Sequence, residues 1–465
     1  MNLGADLSRR DMLGGAAAVA GAAIVPEAAE AVDPKKPNIV FILADDLGAF
    51  DLSCYGRRDY STPRIDSLAR DGMQFGFAYS SSASCTPTRV GLFSGRYPNR
   101  VPIGTVEGGG ATSDTIGYSS KWPSLARTLH DAGYRTALIG KWNLGPLPNF
   151  GPNQSGYDEF FGFTGGAIDY WSHDIGSAFD LSPGRNPDLY EDDKPVKVEG
   201  YATDLFTERA CAFIARNARR PFLLSLHYNA PHWPWQTRTD RGHPRSTDGH
   251  FDGGSMAVYA EMMQALDDGV GRVLDTLKAH GLERDTLVVF TSDNGGERFG
   301  YQWPLKGEKG DLWEGGVRVP LLVRWPSEIM SATATDQVTL SMDWFPTFAK
   351  LTGAATDPKA PPDGIDISPQ LRGAGPVDRM VFWKTPNAQS ALEFPWKYLK
   401  EQEREHLFNL QADVSENANY KLKQPAIFLR LKEASVAWAS NMLPSAAPRN
   451  PGRMDLIRAL DFPSR

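Results

Sequence analysis

Residues 38–46 read Asn-Ile-Val-Phe-Ile-Leu-Ala-Asp-Asp, an almost wholly apolar run that ends in two carboxylates. A run that is apolar on both faces is typical of a buried parallel strand rather than of a strand with one face in solvent. We therefore predict a central strand over residues 38–44. The aspartates that follow, Asp45 and Asp46, then lie just beyond the carboxyl end of that strand.

Four further runs of the same character predict more strands, at residues 136–139, 222–226, 286–291 and 320–324. Helical patterns lie between them, at residues 62–71, 124–132, 204–217 and 256–279. Strands that alternate with helices predict an α/β fold with a doubly wound, mostly parallel sheet. We expect this large α/β domain to occupy residues 32–370.

Beyond residue 370 the pattern changes to short strands, at residues 381–383, 396–399 and 406–409, followed by mixed helical and loop signals. Short strands with a helical segment predict a small α+β unit rather than a continuation of the large sheet. We therefore expect residues 371–465 to form a small C-terminal subdomain.

The first residues have the pattern of a targeting segment. A pair of arginines at residues 9 and 10 precedes a mildly apolar run of Gly, Ala, Val and Ile over residues 14–25. This order is typical of a twin-arginine signal, by which bacteria export folded proteins. The run is too short to cross a bilayer as a stable helix, so we expect no stable membrane insertion. We predict an export signal at residues 1–31 and a periplasmic or secreted protein, with a cytoplasmic leader as the alternative.

The charge balance restricts the partners of the protein. The chain has 465 residues and a formal net charge of −7 at pH 7. Because proteins that bind nucleic acid neutralise phosphates with clustered Lys and Arg, we expect no nucleic-acid partner. Cys54, Cys85 and Cys211 are the only cysteines, which is too few for a scaffold built on disulfides.

Polar side chains follow four of the predicted strands at the point where each strand ends. They are, in chain order, Asp45 with Asp46, Lys141, His227 with His232, and Asp293 with Asn294. Open α/β sheets bind their ligands beyond the carboxyl ends of the strands. The four strands therefore predict one site at one edge of the sheet, although His227 is expected to be only a strand residue.

Residues 84–89 read Ser-Cys-Thr-Pro-Thr-Arg and predict the start of a helix, since proline is favoured in a first helical turn. Cys85 is then placed at the helix N-terminus, where backbone N–H groups and the helix dipole favour an anion. We expect a thiol in that position to have a lowered pKa. Arg89, one turn further on, is expected to point at the same place.

The pattern Cys-x-Pro-x-Arg at residues 85–89 resembles the signature of type I sulfatases, the formylglycine-dependent enzymes of the alkaline phosphatase superfamily. The resemblance extends over residues 37–420 and is nearest to the arylsulfatase and N-acetylgalactosamine-6-sulfatase types. It rests on further strings in family order: Gly-Leu-Phe-Ser-Gly-Arg at 91–96, Ala-Asp-Asp-Leu-Gly at 44–48, Gly-Lys-Trp at 140–142, Asn-Ala-Pro-His at 229–232, Ser-Asp-Asn-Gly-Gly at 292–296, Lys-Gly-Asp-Leu-Trp-Glu-Gly-Gly at 309–316 and Leu-Phe-Asn-Leu at 407–410. It implies a sulfuric ester hydrolase with an alkaline-phosphatase-like fold.

The resemblance also implies roles for single residues. Cys85 would be oxidised to formylglycine by a formylglycine-generating enzyme before export, and the hydrated aldehyde would attack sulfur. Four side chains would hold calcium, or alternatively magnesium, together with residue 85, since oxygen ligands suit both cations. They are Asp45, Asp46, Asp293 and Asn294.

The remaining implied roles concern the substrate, which we expect to be a sulfated carbohydrate or an aryl sulfate. Lys141 and Lys309 would bind sulfate oxygens, and Arg89 would stabilise the nucleophile. His232 would protonate the departing alcohol oxygen. The string Asp-Tyr-Trp-Ser-His at residues 169–173 resembles a pocket-lining segment, which implies that two further side chains contact substrate. They are Asp169 and His173.

One position departs from the family pattern. The family commonly reads Gly-Lys-Trp-His-Leu-Gly, and this chain has Asn143 in place of that histidine. An asparagine can orient a hydroxyl group by hydrogen bonding, but it cannot accept its proton at neutral pH. Three possibilities stay open: the step is slower, another group such as His173 or water serves as the base, or the substrate differs. Our hypothesis is that Asn143 still positions the hydroxyl groups of residue 85.

Two alternative functions stay open at this point. A phosphonate monoester or phosphodiester hydrolase shares the superfamily and also uses formylglycine. An inactive homologue that binds sulfated glycans is favoured only by the departure at Asn143. The presence of the cysteine, the arginine, both lysines and all four metal-ligand positions favours the sulfatase.

Overall fold

The computed structural model describes residues 36–106, 116–174, 188–241 and 253–445. The predicted export signal at residues 1–31 and two histidines at residues 243 and 250 lie outside these ranges, as does the end of the predicted C-terminal subdomain beyond residue 445. Within the described ranges, no helix has the length and apolarity that a membrane span requires.

The helices of the described ranges are α1 (Pro63–Arg70), α2 (Cys85–Ser94), α3 (Leu125–Asp131), α4 (Ala202–Arg216), α5 (Met256–Ala279), α6 (Glu314–Val317), α7 (Trp344–Thr352), α8 (Ser368–Leu371) and α9 (Pro425–Ser440). The strands are β1 (Asn38–Ala44), β2 (Met73–Phe75), β3 (Ala78–Tyr79), β4 (Arg135–Lys141), β5 (Glu159–Phe163), β6 (Tyr190–Glu191), β7 (Lys194–Pro195), β8 (Phe222–His227), β9 (Thr286–Ser292), β10 (Leu321–Arg324), β11 (Thr333–Thr335), β12 (Thr339–Leu340), β13 (Met380–Lys384), β14 (Ala388–Glu393), β15 (Trp396–Glu401) and β16 (Arg404–Asn409).

The central sheet has the strand order β11-β2-β10-β9-β1-β8-β4-β5-β6-β7. Its middle, from β9 to β5, is parallel throughout, so the predicted doubly wound and mostly parallel sheet is confirmed. The prediction that residues 320–324 form another parallel strand is wrong, because β10 runs antiparallel to β9. An apolar run indicates that both faces of a strand are covered, and this holds for either direction of the chain.

Strand β1 lies in the middle of the sheet, and its two faces belong to different hydrophobic cores. Val40 and Ile42 pack in the core that α4 and α5 cover. Ile39 and Phe41 pack in the core that α2, α3 and α7 cover. Helices cover both faces of the sheet, so polar side chains that bind a ligand are expected beyond the carboxyl ends of the parallel strands.

The C-terminal sheet is antiparallel, with the order β13-β14-β15-β16, and this small α+β subdomain is confirmed. Leu431 of α9 packs against one face of this sheet, on Ala391 and Tyr398. The other face lies against the small two-stranded sheet of β3 and β12, where Tyr79 and Leu340 join the same hydrophobic core. Trp383 Nε1 donates a hydrogen bond to Ser80 O at 2.8 Å. The exact boundary at residue 370 stays a prediction.

A buried ion cluster crosses this contact. Lys397 Nζ of β15 lies 2.9 Å from Glu314 Oε1 of α6 and 2.9 Å from Glu416 Oε1, and the side chains of all three are fully buried. Tyr79 OH donates a hydrogen bond to Glu314 Oε2 at 3.0 Å. A buried charge without a partner is costly, so each member of the cluster depends on the others.

We expect Lys397→Met to lower the free energy of unfolding by about 3–5 kcal/mol, because it removes the cation 2.9 Å from both buried carboxylates and leaves Glu314 with the more distant Arg318, 3.7 Å away. Chemical denaturation followed by tryptophan fluorescence measures the change. Lys423→Met, at an exposed position, is the control and should change the stability little. Equal stability of the two variants would show that the cluster does not stabilise the contact.

Candidate active site

The structure brings most of the predicted site residues together at the carboxyl ends of the parallel strands. Strands β1, β4 and β9 end at this edge of the sheet, and α2 begins there. The residues that hydrogen bonds or ion pairs join in one cluster are Asp45, Asp46, Cys85, Arg89, Lys141, His232, Asp293, Asn294 and Lys309. Their catalytic roles stay predictions.

Each carboxylate of the cluster is paired with a different cation. The pairs are Asp45 Oδ2 with Lys141 Nζ at 2.6 Å, Asp46 Oδ2 with Lys309 Nζ at 2.7 Å, and Asp293 Oδ2 with Arg89 Nη2 at 2.8 Å. The first and third pairs are fully buried, whereas the Lys309 side chain keeps 20% of its surface exposed. The cluster therefore has three cations beside Cys85, one of which faces solvent.

Asp45 and Asp46 are neighbours in sequence, yet both reach the same cluster. In a regular strand, successive side chains point to opposite faces. Asp46 has a φ of 63°, in the left-handed region, and this turn of the chain brings the second carboxylate back beside the first. Asn294 Nδ2 then donates to Asp46 Oδ1 at 2.7 Å, which joins the end of β9 to the end of β1.

The two carboxyl groups differ in their pKa. Burial raises the pKa of Asp45 to about 7, and the neighbouring Asp293 adds to the increase. Burial alone would also raise the pKa of Asp46, but Lys309 and His232 outweigh it and hold that pKa below its usual range. Asp46 is therefore the firmly ionised member of the pair.

The donor set fits a divalent cation. Asp45, Asp46, Cys85 and His232 each offer one ligand atom, and these atoms lie within 4.8 Å of one another. Asn294 Oδ1 is buried and has no hydrogen-bond partner among the described residues. A buried amide oxygen without a partner is costly, and a hard cation would satisfy it.

Cys85 begins α2, as predicted, and its Sγ lies 3.4 Å from Asp45 Oδ1. The expected lowering of its pKa is wrong. Burial, followed by the charge of Asp293, raises the pKa of this thiol well above its usual range. Burial and the charge of Asp293 outweigh the nearby Lys141 and Lys309, which lower the pKa, so an unmodified Cys85 is a neutral thiol rather than a nucleophilic thiolate.

His232 presents one nitrogen to the cluster. Its Nδ1 donates to Trp233 O at 2.6 Å, because a carbonyl oxygen only accepts, and its Nε2 lies 3.4 Å from Asp46 Oδ2. Tyr170 OH donates to His232 O at 2.8 Å and fixes this loop. Burial lowers the pKa of His232 well below its usual range, so the imidazole is neutral before an anionic ligand enters.

Asn143 lies beside the residue that follows Cys85. Thr86 Oγ1 donates to Asn143 Oδ1 at 2.9 Å, which fixes the orientation of the amide. Asn143 Nδ2 is buried and has no partner among the described residues. The backbone of Asn143 has a φ of 56°, a conformation that asparagine tolerates better than most residues. Asn143 is thus a hydrogen-bond donor with spare capacity next to the helix start.

Asp169 and His173 have contacts outside the cluster. Asp169 Oδ1 accepts from the backbone N–H groups of Trp171 and Ser172 at 2.9 and 2.7 Å, and its Oδ2 accepts from Gln236 Nε2 at 2.9 Å. His173 Nε2 lies 3.1 Å from Gly200 O. These hydrogen bonds stabilise the turn at residues 169–173. Contact of Asp169 or His173 with substrate stays a prediction.

Two contacts of the cluster were not predicted from the sequence. Glu297 Oε2 lies 3.7 Å from Lys309 Nζ, and burial raises the pKa of Glu297 to about 8. Its position directly after Ser-Asp-Asn-Gly-Gly was the available signal. His227 is more than a strand residue, because its Nδ1 lies 3.2 Å from Arg89 Nη1. Its burial between strands hides that contact from any sequence pattern.

Comparison with known proteins identifies relatives of the chain. The family model described as Sulfatase matches residues 37–354. Steryl-sulfatase from Mus musculus is 33% identical over 424 residues, which cover 73% of this chain and 66% of that protein. Arylsulfatase A from Homo sapiens is 33% identical over 388 residues, which cover 76% of this chain and 71% of that protein. The chain thus spans about two thirds of the length of these relatives.

Solved structures confirm the fold. The crystal structure of Ps i-CgsB has a TM-score of 0.80 and 30% identity, and the match covers 92% of this chain and 99% of that chain. A second structure of Ps i-CgsB, in complex with k-i-k-neocarrahexaose, has a TM-score of 0.78. The phosphonate monoester hydrolase of Agrobacterium radiobacter, at 19% identity and a TM-score of 0.62, shares the fold alone. The chain belongs to the sulfatase family of sulfuric ester hydrolases.

Proposed function

We propose that the protein hydrolyses sulfate esters of carbohydrates through a formylglycine made from Cys85, with a bound calcium ion. The observation that carries this proposal is the buried cluster at the start of α2. There, three cations and a set of oxygen ligands surround residue 85. Three carboxylates balance the three cations, and burial raises the pKa of the fourth carboxyl group, Glu297, to about 8. A divalent ion would therefore leave the site positive and attract an anionic ester.

The proposed substrate class is a sulfated galactan oligosaccharide. Support comes from Ps i-CgsB, which is 29–30% identical to this chain in a match that covers 92% of this chain and 99% of that chain. One of its structures is a complex with k-i-k-neocarrahexaose. Aryl sulfates are the alternative, supported by the likeness to arylsulfatase A.

The residues present fit both the metal and the modified residue 85. When present, the cation would polarise the sulfate ester and the hydrated aldehyde would supply a hydroxyl nucleophile. Asp45, Asp46, Asp293 and Asn294 would hold the cation, because their oxygen atoms meet at the ends of β1 and β9.

Other side chains of the cluster would bind the sulfate group, protonate the leaving group and position residue 85. Lys141 and Lys309 each supply a positive charge that would bind nonbridging sulfate oxygens. His232 Nδ1 is engaged by Trp233 O, so its Nε2 is the atom that would take up a proton when the anionic ester enters and give it to the leaving alcohol oxygen. Asn143 Nδ2 would donate a hydrogen bond to a hydroxyl group on residue 85.

We also propose that the protein is exported to the periplasm or secreted. Support comes from the arginine pair at residues 9 and 10 and the apolar run behind it. Export in the folded state would suit a protein that acquires its modification before it leaves the cytoplasm.

Mass spectrometry of tryptic peptide 71–89, from protein purified out of its native host, is expected to show formylglycine at position 85. Cys85→Ala is expected to lower the hydrolysis of 4-nitrophenyl sulfate by roughly 10³-fold or more, because it removes the nucleophile. Cys211→Ala, on α4, is the matched control and should keep full activity.

Other outcomes of that experiment favour the alternatives. Faster hydrolysis of a phosphonate monoester than of the sulfate ester would favour the phosphonate hydrolase. An unmodified cysteine in protein that binds sulfated glycan without turnover would contradict the proposal and favour a binding protein.

Calcium is expected to stabilise the protein, since it would bind the folded state only. At about 100 times the dissociation constant the gain is about 2.7 kcal/mol, seen as a higher melting temperature that a chelator reverses. Asn294→Ala should reduce this gain because it removes the amide oxygen that lacks a partner. Asn217→Ala, at a buried position in another part of the fold, should keep it. A gain that survives Asn294→Ala in full would place the ion elsewhere.

Asn143→His is expected to raise kcat and to give it a pH dependence near neutrality, because imidazole can accept a proton that an amide cannot. Thr86→Val is expected to lower kcat, since it removes the donor that orients the amide. Steady-state kinetics between about pH 5 and pH 9, a range that includes the titration of imidazole, measure both effects. A kcat of Asn143→His equal to that of the wild type at every pH would show that no base is missing here.

A further inference from the structure

The two ends of the loop that joins Asn294 to Lys309 are linked by hydrogen bonds to one backbone carbonyl group, that of Gly296. Gln302 Nε2 donates to Gly296 O at 2.5 Å, and the backbone N–H of Lys309 donates to the same oxygen at 3.1 Å. The backbone N–H of Tyr301 also donates to Asp51 Oδ1 at 2.9 Å. Both ends of the loop therefore lie in the candidate active site, and these hydrogen bonds hold the residues between them in place.

Trp303 lies in this loop with its indole in water. Its exposed fraction is 73%, and it is the only aromatic side chain of the described ranges that is mainly exposed. An exposed indole forgoes the stabilisation of burial, and such side chains are enriched where proteins bind ligands or partners. The flat, apolar face of an indole is complementary to the apolar face of a sugar ring.

A cation lies three residues from Trp303. Lys306 Nζ lies 4.5 Å from the centre of the Trp313 ring, a cation–π contact that restricts the ammonium group, and the side chain is exposed. His406 of β16 packs on the same ring, with centroids 5.6 Å apart. Lys306 thus places a positive charge near His406, although the whole chain has a net charge of −7.

The titration of His406 agrees with this local charge. Its pKa is lowered first by burial and then by three cations around it. Those cations are Lys421, Lys306 and Arg404. The C-terminal sheet thus adds positive charge to the side of the loop on which Lys306 lies.

We propose that Trp303 and Lys306 form a second sugar-binding subsite, in which Trp303 stacks on a ring next to the one that is desulfated and Lys306 pairs with a sulfate group of that ring. The inference rests on the proposed function and narrows it. The substrate is then a sulfated oligosaccharide of at least two rings rather than a small aryl sulfate. Because the loop ends at Lys309, one segment of chain contributes to both subsites.

The test is calorimetric titration of the full-length protein with sulfated neocarrahexaose and with a sulfated galactose monosaccharide, which has no neighbouring ring, in a Cys85→Ala background that prevents turnover. The readout is the ratio of the two dissociation constants within each variant. This ratio does not depend on the fraction of protein that is active. We expect the hexasaccharide to bind about tenfold more tightly than the monosaccharide in the parent protein, the effect of about one stacked ring.

Trp303→Ala is expected to reduce that ratio to about one, whereas Trp303→Phe should keep most of it because a ring remains. Lys306→Gln should reduce the ratio partly, and its effect should disappear at high salt. Met330→Ala is the matched control. Met330 is also 73% exposed, but the backbone N–H of nearby Ser327 donates to Arg284 O ahead of β9, at the opposite end of the sheet.

Two results would overturn the subsite: a ratio of one in the parent protein, or a ratio that Trp303→Ala leaves unchanged. Both are distinct from failure of the proposed function. That failure would appear as an absence of sulfate release by the unmutated enzyme, which is measured separately on 4-nitrophenyl sulfate and on the hexasaccharide.

Discussion

The pairing of three buried carboxylates with three cations is the constraint on which the rest of the structure depends. Each ion would be costly to bury alone, and the partner of each carboxylate comes from a different element. The cation that pairs with Asp45 is Lys141 of β4, and the one that pairs with Asp46 is Lys309 of the loop before α6. Asp293 pairs with Arg89 of α2. These elements therefore have to meet at the carboxyl ends of β1 and β9. The left-handed turn at Asp46 is part of the same requirement, because it turns two adjacent carboxylates toward one place.

Much of this could be predicted from sequence because the signals are local. The strand at residues 38–44 and the helix at residues 256–279 were predicted with the bounds that the structure shows. Both have hydrophobic patterns that span the whole element and end at polar residues. Since parallel strands place their carboxyl ends at one edge, the polar residues after four strands were enough to predict which side chains meet.

What the sequence could not show depends on contacts between distant segments. The direction of β10 is set by its pairing with β9, and an apolar run is compatible with either direction. The raised pKa of Cys85 follows first from burial and then from the charge of Asp293, more than 200 residues away in the chain. The contact of Thr86 with Asn143 likewise joins a helix start to the turn after β4. Local rules for helix termini and loops contain no information about such neighbours.

The C-terminal sheet belongs to the support of the active site rather than to a separate module. Glu314, which Lys397 of β15 neutralises, also accepts a hydrogen bond from Tyr79, six residues before Cys85. The backbone N–H of the next residue, Gly315, donates to Lys306 O at 2.7 Å, and this ties α6 to the loop that ends at Lys309. One buried carboxylate thus connects the segment that leads to the nucleophile with the loop that supplies a cation. A displacement of the C-terminal sheet would therefore move both sides of the site, which gives a physical reason for the sheet to pack where it does.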